Sequence, residues 1–252
     1  MLRPILRPFC LFCLVLCAVA AAAPAPACLP DGFVIALDVG HTLRSPGATS
    51  ARGVPEFRFN RALAAVVADA LTAAGFGKTF IINGDGRIAS LQARVAAAGR
   101  RHAELFIAIH HDSVQLRYLD DWTTQGASHR YSDRFHGFSL FVSEKNPRFA
   151  DSRRFATLVG TALTTRGLTP TLHHAEPIPG EGRALLNASL GVYRFDDLIV
   201  LKTASMPAVL LEAGVILNRD EELTLTDTAY RQRIAAAIVA AAQQYCSGVS
   251  GR

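Results

Sequence analysis

Short apolar runs of β type alternate along this chain with alanine-rich stretches at helical spacing, and three of the runs close on a metal-type side chain. Phe33-Val34-Ile35-Ala36-Leu37-Asp38-Val39-Gly40-His41 ends in one histidine and Leu105-Phe106-Ile107-Ala108-Ile109-His110 in another; Ala208-Val209-Leu210-Leu211-Glu212 ends in a glutamate. Alternating strands and helices predict a sheet covered by helices on both faces. Ligands of such sheets bind beyond the carboxyl ends of the strands. Parallel strands would therefore carry His41, His110 and Glu212 to one rim, and Glu56, in the polar loop leading to the first helix, reaches the same rim. Two imidazoles and one carboxylate form the ligand set of a catalytic zinc ion with one open position. The fourth group is then free for acid/base work.

The apolar periodicity predicts strands over residues 33–39, 79–82, 106–109, 138–142, 198–201 and 208–211, and helices over 61–74, 89–103, 149–165 and 228–245. No internal repeat and no Pro/Gly/Ser linker divides the chain, so residues 28–252 read as one domain. Two stretches fit the alternation poorly. Residues 112–134 are polar and hold Asp120, Asp121, Trp122 and Tyr131; residues 172–190 hold Pro177, Pro179, Gly180 and Gly182. Loops of this length are either lids and substrate walls or surface excursions.

Half of the 252 residues are hydrophobic, which excludes global disorder. Arg3 and Arg7 precede a short apolar stretch, residues 9–22, followed by Ala22-Ala23-Pro24-Ala25-Pro26-Ala27. This is the layout of a secretory signal peptide over residues 1–27, and its apolar run is short for a bilayer span. An exported protein, periplasmic or extracellular, with no membrane span after signal removal is expected. Removing Arg3 and Arg7, with no acid beside them, lowers the formal charge from +5 to +3. No Lys/Arg-rich run is present, so a nucleic-acid partner is not implied. Cys10, Cys13 and Cys17 leave with the signal, and Cys28 and Cys246 remain to form a disulfide, with lipidation of Cys28 as the competing reading.

Each site residue also has an ordinary explanation. His41 alone is a turn residue, and Glu56 alone a helix N-terminal charge that suits the dipole. His111 and Asp112 rival His110 as ligands, although adjacent strand residues face opposite sides. His173-His174 reads best as a solvated loop pair. Asp38 and Arg94 can pair in the core or rim, and Asn218 can pin the turn after Glu212. No Gly-x-Ser-x-Gly elbow, phosphate-cradling loop or His-Glu-x-x-His helix competes.

The order Asp38-Val39-Gly40-His41, Pro55-Glu56-Phe57, Leu105 to His110, and Pro207-Ala208-Val209-Leu210-Leu211-Glu212-Ala213-Gly214 resembles the zinc-dependent N-acetylmuramoyl-L-alanine amidases of the amidase-3 type. The resemblance implies a single α/β domain with a mixed, mostly parallel sheet. It implies Zn²⁺ held by His41, Glu56 and His110, and Glu212 as the catalytic residue. The implied substrate is peptidoglycan, cut at the amide between the lactyl group of N-acetylmuramic acid and L-alanine of the stem peptide. With no separate wall-anchoring module in evidence, it leaves room for a protein activator. Ile82-Asn83-Gly84-Asp85-Gly86 and His111-Asp112-Ser113 depart from the family's usual segments, which affects substrate preference more than the metal set. The alternatives are another exported zinc amide hydrolase (a peptidase or deacetylase) and a non-catalytic wall-binding module.

Overall fold

The computed structural model describes residues 29–249; the signal segment 1–27 and Cys28 lie outside the described residues. The elements are β1 (Ile35–Val39), α1 (Glu56–Ala73), β2 (Phe80–Ile82), α2 (Leu91–Arg100), β3 (Leu105–Asp112), β4 (Asp120–Thr124), β5 (Ala127–Tyr131), β6 (Ser139–Val142), α3 (Phe149–Thr165), β7 (Leu185–Asn187), β8 (Val192–Arg194), α4 (Ile199–Lys202), β9 (Ala208–Val215), α5 (Arg219–Thr226) and α6 (Thr228–Val249). Seven strands form one sheet in the order β2-β1-β3-β9-β6-β8-β7, and β4 and β5 form a separate hairpin. β2, β1, β3 and β9 run parallel; β6 turns antiparallel to β9, β8 follows β6, and β7 opposes β8.

Every residue of β1 is buried, as expected of a strand covered on both faces. Alternate side chains go to opposite cores. Ile35, Leu37 and Val39 of β1, Leu105, Ile107 and Ile109 of β3, and Val209, Leu211 and Ala213 of β9 pack against α1, α3 and α6. Ala36, Phe106, Ala108, Ala208 and Leu210 pack on the other face with Val95 and Ala98 of α2 and Val200 and Leu201 of α4. Continuing the period of two, His110 and Glu212 fall on this second face. They are also register partners on neighbouring parallel strands. The site therefore sits where the apolar stripe between the sheet and α2/α4 turns polar.

Strands β7 and β8 and helix α5 go beyond what the apolar periodicity predicts, and four further features depart from the sequence reading. Residues 198–201 contribute to helix α4 rather than a strand: four apolar residues without alternation suit either state, and here Val200 and Leu201 pack toward α2. Helix α1 begins at Glu56, five residues before the expected start, because Phe57, Asn60 and Leu63 already share its buried side. Glu212 lies inside β9, which continues to Val215. The hairpin β4–β5 turns on Gln125 and Gly126, both at positive φ (52° and 78°), as a two-residue primed turn requires. Cys246, buried on α6, is disulfide-bonded. Asn218 caps α5, accepting from the Asp220 and Glu221 amides while its Nδ2 donates to Phe135 O.

Candidate metal centre and active site

β1 ends at Val39, and the chain stays on the sheet one residue longer through the Gly40 amide, which donates to Ile109 O at 3.0 Å. His41 then adopts φ +66°, a left-handed conformation that a non-glycine residue holds only under constraint. The constraint comes from two side chains. Asn83 Nδ2 donates to Val39 O (2.8 Å) and His41 O (2.7 Å). Arg94 donates to the same two carbonyls, at 2.8 and 2.6 Å. Arg94 is buried beside Asp38 at 3.4 Å. Burial raises the Asp38 carboxyl to about 7, with Arg94 opposing the rise.

Pro55, extended at φ −64° and ψ 140°, delivers Glu56 as the first residue of α1, where the helix dipole favours an anion. Its carboxylate is held on both oxygens. Oε2 accepts from the Ala48 amide at 3.1 Å and lies 2.9 Å from His41 Nε2. Oε1 accepts from Asn60 Nδ2 at 3.0 Å and the His111 amide at 3.3 Å, and lies 3.2 Å from His110 Nδ1. Burial alone would raise this carboxyl; the hydrogen bonds and charges of His110 and His41 reverse the effect and hold it well below the usual range. The two imidazoles meet edge to face, with centroids 5.0 Å apart. Close packing depends on glycine: a Cβ on Gly40 would lie 2.3 Å from His110 Nε2, and one on Gly47 2.3 Å from Glu56 Oε2.

The structure thus gathers His41, Glu56 and His110 into a group whose ligand atoms lie within 4.8 Å of one another. Tetrahedral zinc with bonds near 2.1 Å would set neighbouring donors about 3.4 Å apart, so the set fits a small divalent cation. Glu212, the strand neighbour of His110, lines the same cavity of about 490 Å³ with Asp38, His41 and Arg94. Its Oε2 is buried and has no hydrogen-bond partner. Burial raises its carboxyl well above the usual value, and the charges of Asp112 and Glu56 add to that rise.

The rivals go elsewhere. His111 faces the opposite side of β3, where Nδ1 lies 2.8 Å from Asn60 Oδ1 and the ring rests on Phe59; burial lowers its pKa to about 3. Asp112 joins a second group with His173 and His174. The solvated-pair reading of these two histidines is wrong: they are 3% and 7% exposed. The Pro/Gly composition of their loop hid this, and the chain carried one clue, Glu181 and Arg183 a few residues on, which close the pocket with them. Both polar segments serve as walls. Ser113 and Gln115 from one, and His174, Glu181 and Arg183 from the other, line a cavity of about 390 Å³ that also reaches Glu212. Asn83 and Asn60 are the positioning residues that sequence reasoning missed.

Residues 35–244 match the family model described as N-acetylmuramoyl-L-alanine amidase. The chain belongs to that amidase family. The N-acetylmuramoyl-L-alanine amidase AmiC of Escherichia coli O6:H1 is 25% identical over 240 residues, covering 84% of this chain and 52% of its own length. This chain therefore spans about half the length of that amidase. Among solved structures, the N-acetylmuramyl-L-alanine amidase Ami1 of Mycobacterium smegmatis shares the fold at TM-score 0.65 and 22% identity, over 86% of this chain and 98% of that one. The CwlD amidase of Clostridioides difficile, solved in complex with the GerS lipoprotein, shares it at TM-score 0.58 and 20% identity, over 86% and 99%. The mixed, mostly parallel sheet of the amidase fold is thus the sheet found here. Among the described residues, no helix is long and apolar enough to cross a membrane.

Proposed function

We propose that this chain is a zinc-dependent peptidoglycan amidase that hydrolyses the amide between the lactyl group of N-acetylmuramic acid and L-alanine of the stem peptide. The observation that carries the reading is Glu212: an amidase-family chain puts a buried, unpartnered carboxylate oxygen beside a convergent His-Glu-His set. His41, Glu56 and His110 hold the zinc. When bound, zinc supplies a Lewis acid that polarises the scissile carbonyl and acidifies water toward a pKa of about 7. Glu212 takes the proton of the attacking water and passes it to the amine nitrogen as the C–N bond breaks. Asn60 fixes the Glu56 carboxylate, and Asn83 with Arg94 fixes the His41 backbone. The chain works outside the cytoplasm, exported by residues 1–27, and segments 112–134 and 172–190 wall the substrate groove. A separate protein partner regulates it, as an amidase-fold relative, CwlD, is found in complex with the GerS lipoprotein.

The test is product analysis on intact wall. Wild type frees the L-alanine amine and leaves the sugar acetyl groups in place. Glu212→Gln keeps its zinc and loses at least ~100-fold in turnover. Release of acetate, cleavage between stem-peptide residues, or unchanged turnover in Glu212→Gln would overturn the reading.

A further inference from the structure

The first centre does not exhaust the metal-type donors of this chain. Asp112, at the end of β3, meets His173 and His174 from the segment between α3 and β7, and all three are buried. His174 Nε2 lies 2.7 Å from Asp112 Oδ2, and His173 Nε2 lies 3.5 Å from the same oxygen. Both histidines therefore aim the same ring nitrogen at one point. The other nitrogens are occupied: His173 Nδ1 is 2.8 Å from Thr171 Oγ1, and His174 Nδ1 is 2.9 Å from Glu181 Oε2. Imidazoles that bind a metal through one nitrogen are oriented in this way, with the second nitrogen bonded to a carboxylate or other acceptor that fixes the tautomer. Glu181 is itself anchored by Gln115 at 2.8 Å and by Arg183.

A hydrogen-bond network alone does not account for the cluster. A proton on His174 would satisfy Asp112 and Glu181 together. It would leave His173 Nε2 buried with only long or poorly aligned polar neighbours, Asp112 Oδ2 at 3.5 Å and the Ser113 backbone, and no hydrogen bond of full geometry, and burying such a group costs free energy. A cation at the point of convergence satisfies all three donors. The donor spacings bracket the roughly 3.4 Å that tetrahedral zinc imposes.

We infer that Asp112, His173 and His174 bind a second divalent transition-metal cation, separate from the one assigned to His41, Glu56 and His110. Two imidazoles and a carboxylate favour zinc or a similar ion over magnesium or calcium. The cation ties the end of β3 to the 172–183 segment and so fixes the wall of the cavity that reaches Glu212.

The test is a Zn²⁺ titration of the chelator-stripped full chain, read by elemental analysis and, with Co²⁺, by visible absorption. The expected result is two equivalents for wild type, one for His173→Gln/His174→Gln, one for His110→Gln, and none for the combined variant. A single wild-type equivalent that the His173/His174 variant retains would overturn the inference. A single equivalent lost from that variant and kept by His110→Gln would uphold it and refute the ligand set of the proposed amidase centre. Should the double variant not fold, the Co²⁺ titration of wild type decides: two saturating steps support the second site, and one step in a chain that also keeps its Co²⁺ absorption after Asp112→Asn removes it. Limited proteolysis gives an independent readout, since stripping should expose the Pro177 to Arg183 stretch to cleavage and Zn²⁺ alone should restore protection; cleavage that Zn²⁺ leaves unchanged counts against the inference.

Discussion

Two groups of two imidazoles and one carboxylate sit along the same strand, β3, with similar donor spacings but in opposite settings. In the first, the His41, Glu56 and His110 side chains are 34%, 5% and 18% exposed. In the second, the side chains of Asp112, His173 and His174 are 7%, 2% and 9% exposed. The first draws on a residue just past β1, the start of α1 and β3, parts of the parallel half of the sheet. The second takes one residue from the end of β3 and two from a loop, and its histidines pack against Phe135, Phe141 and Tyr193. Strand ends hold ligands while leaving one side open to a substrate; a loop folded over a strand closes around what it holds. The first arrangement suits chemistry and the second suits fastening, and substitutions that touch one group alone should separate these roles.

The largest effect is expected from Gly40→Ala. The added methyl would meet His110 Nε2, Cε1 and Cδ2 at 2.3, 2.4 and 2.6 Å, distances at which the ring must leave its place. The first centre should lose its zinc and turnover should fall by at least ~100-fold, the scale of losing acid/base catalysis alone. Zinc bound by Asp112, His173 and His174 should stay. Zinc content per chain, measured beside wall-hydrolysis rate, checks this. An active Gly40→Ala protein with full zinc would mean that His110 is not held where the metal needs it.

The two groups also differ in how legible they were. The strands of the parallel half announced themselves by apolar runs, and His41, His110 and Glu212 were visible as polar groups closing those runs. The period of two even puts His110 and Glu212 on one face. Glu56 was visible only in that company, since an acid opening a helix is ordinary. The second group was hidden because its closest contact joins residues 62 apart, Asp112 and His174, through a loop whose prolines and glycines read as solvated surface. The β4–β5 hairpin was missed because Gln125-Gly126 takes the positive φ values usually signalled by Asn-Gly. The helical α4 was missed because four buried apolar residues carry no period. Asn83 and Asn60 were missed for another reason: their value lies in the atoms they reach, the His41 carbonyl and the Glu56 carboxylate, and no local pattern marks that.

A middle-sized effect should follow from Asn83→Ala. Asn83 donates to Val39 O and His41 O and accepts from the Ile88 amide at 2.9 Å. Arg94 shares the two carbonyls, so the turn should survive at a cost of about 1–3 kcal/mol in stability. The His41 ring would then be less well aimed, and zinc affinity at the first centre should weaken by about 10-fold, as for loss of a residue that orients a ligand. Thermal melting and a zinc titration together check it; an intact first-step affinity would show that Arg94 alone sustains the left-handed turn at His41.

The smallest effect, and the one that tests the fastening role most directly, is expected from Thr171→Val. The change keeps the volume and β-branching and removes the hydroxyl that lies 2.8 Å from His173 Nδ1. His173 keeps its packing against His174 and Phe135 but loses the partner that fixes its tautomer. Zinc affinity at the second site should drop by about 10-fold, while the first site and wall hydrolysis at saturating zinc stay as in wild type. At limiting zinc the variant should become more sensitive to proteolysis in the 172–183 segment before it loses any activity. If activity falls in step with second-site occupancy, the buried cation does more than fasten a wall: its hold on Asp112, whose charge bears on Glu212, then reaches the acid/base group itself.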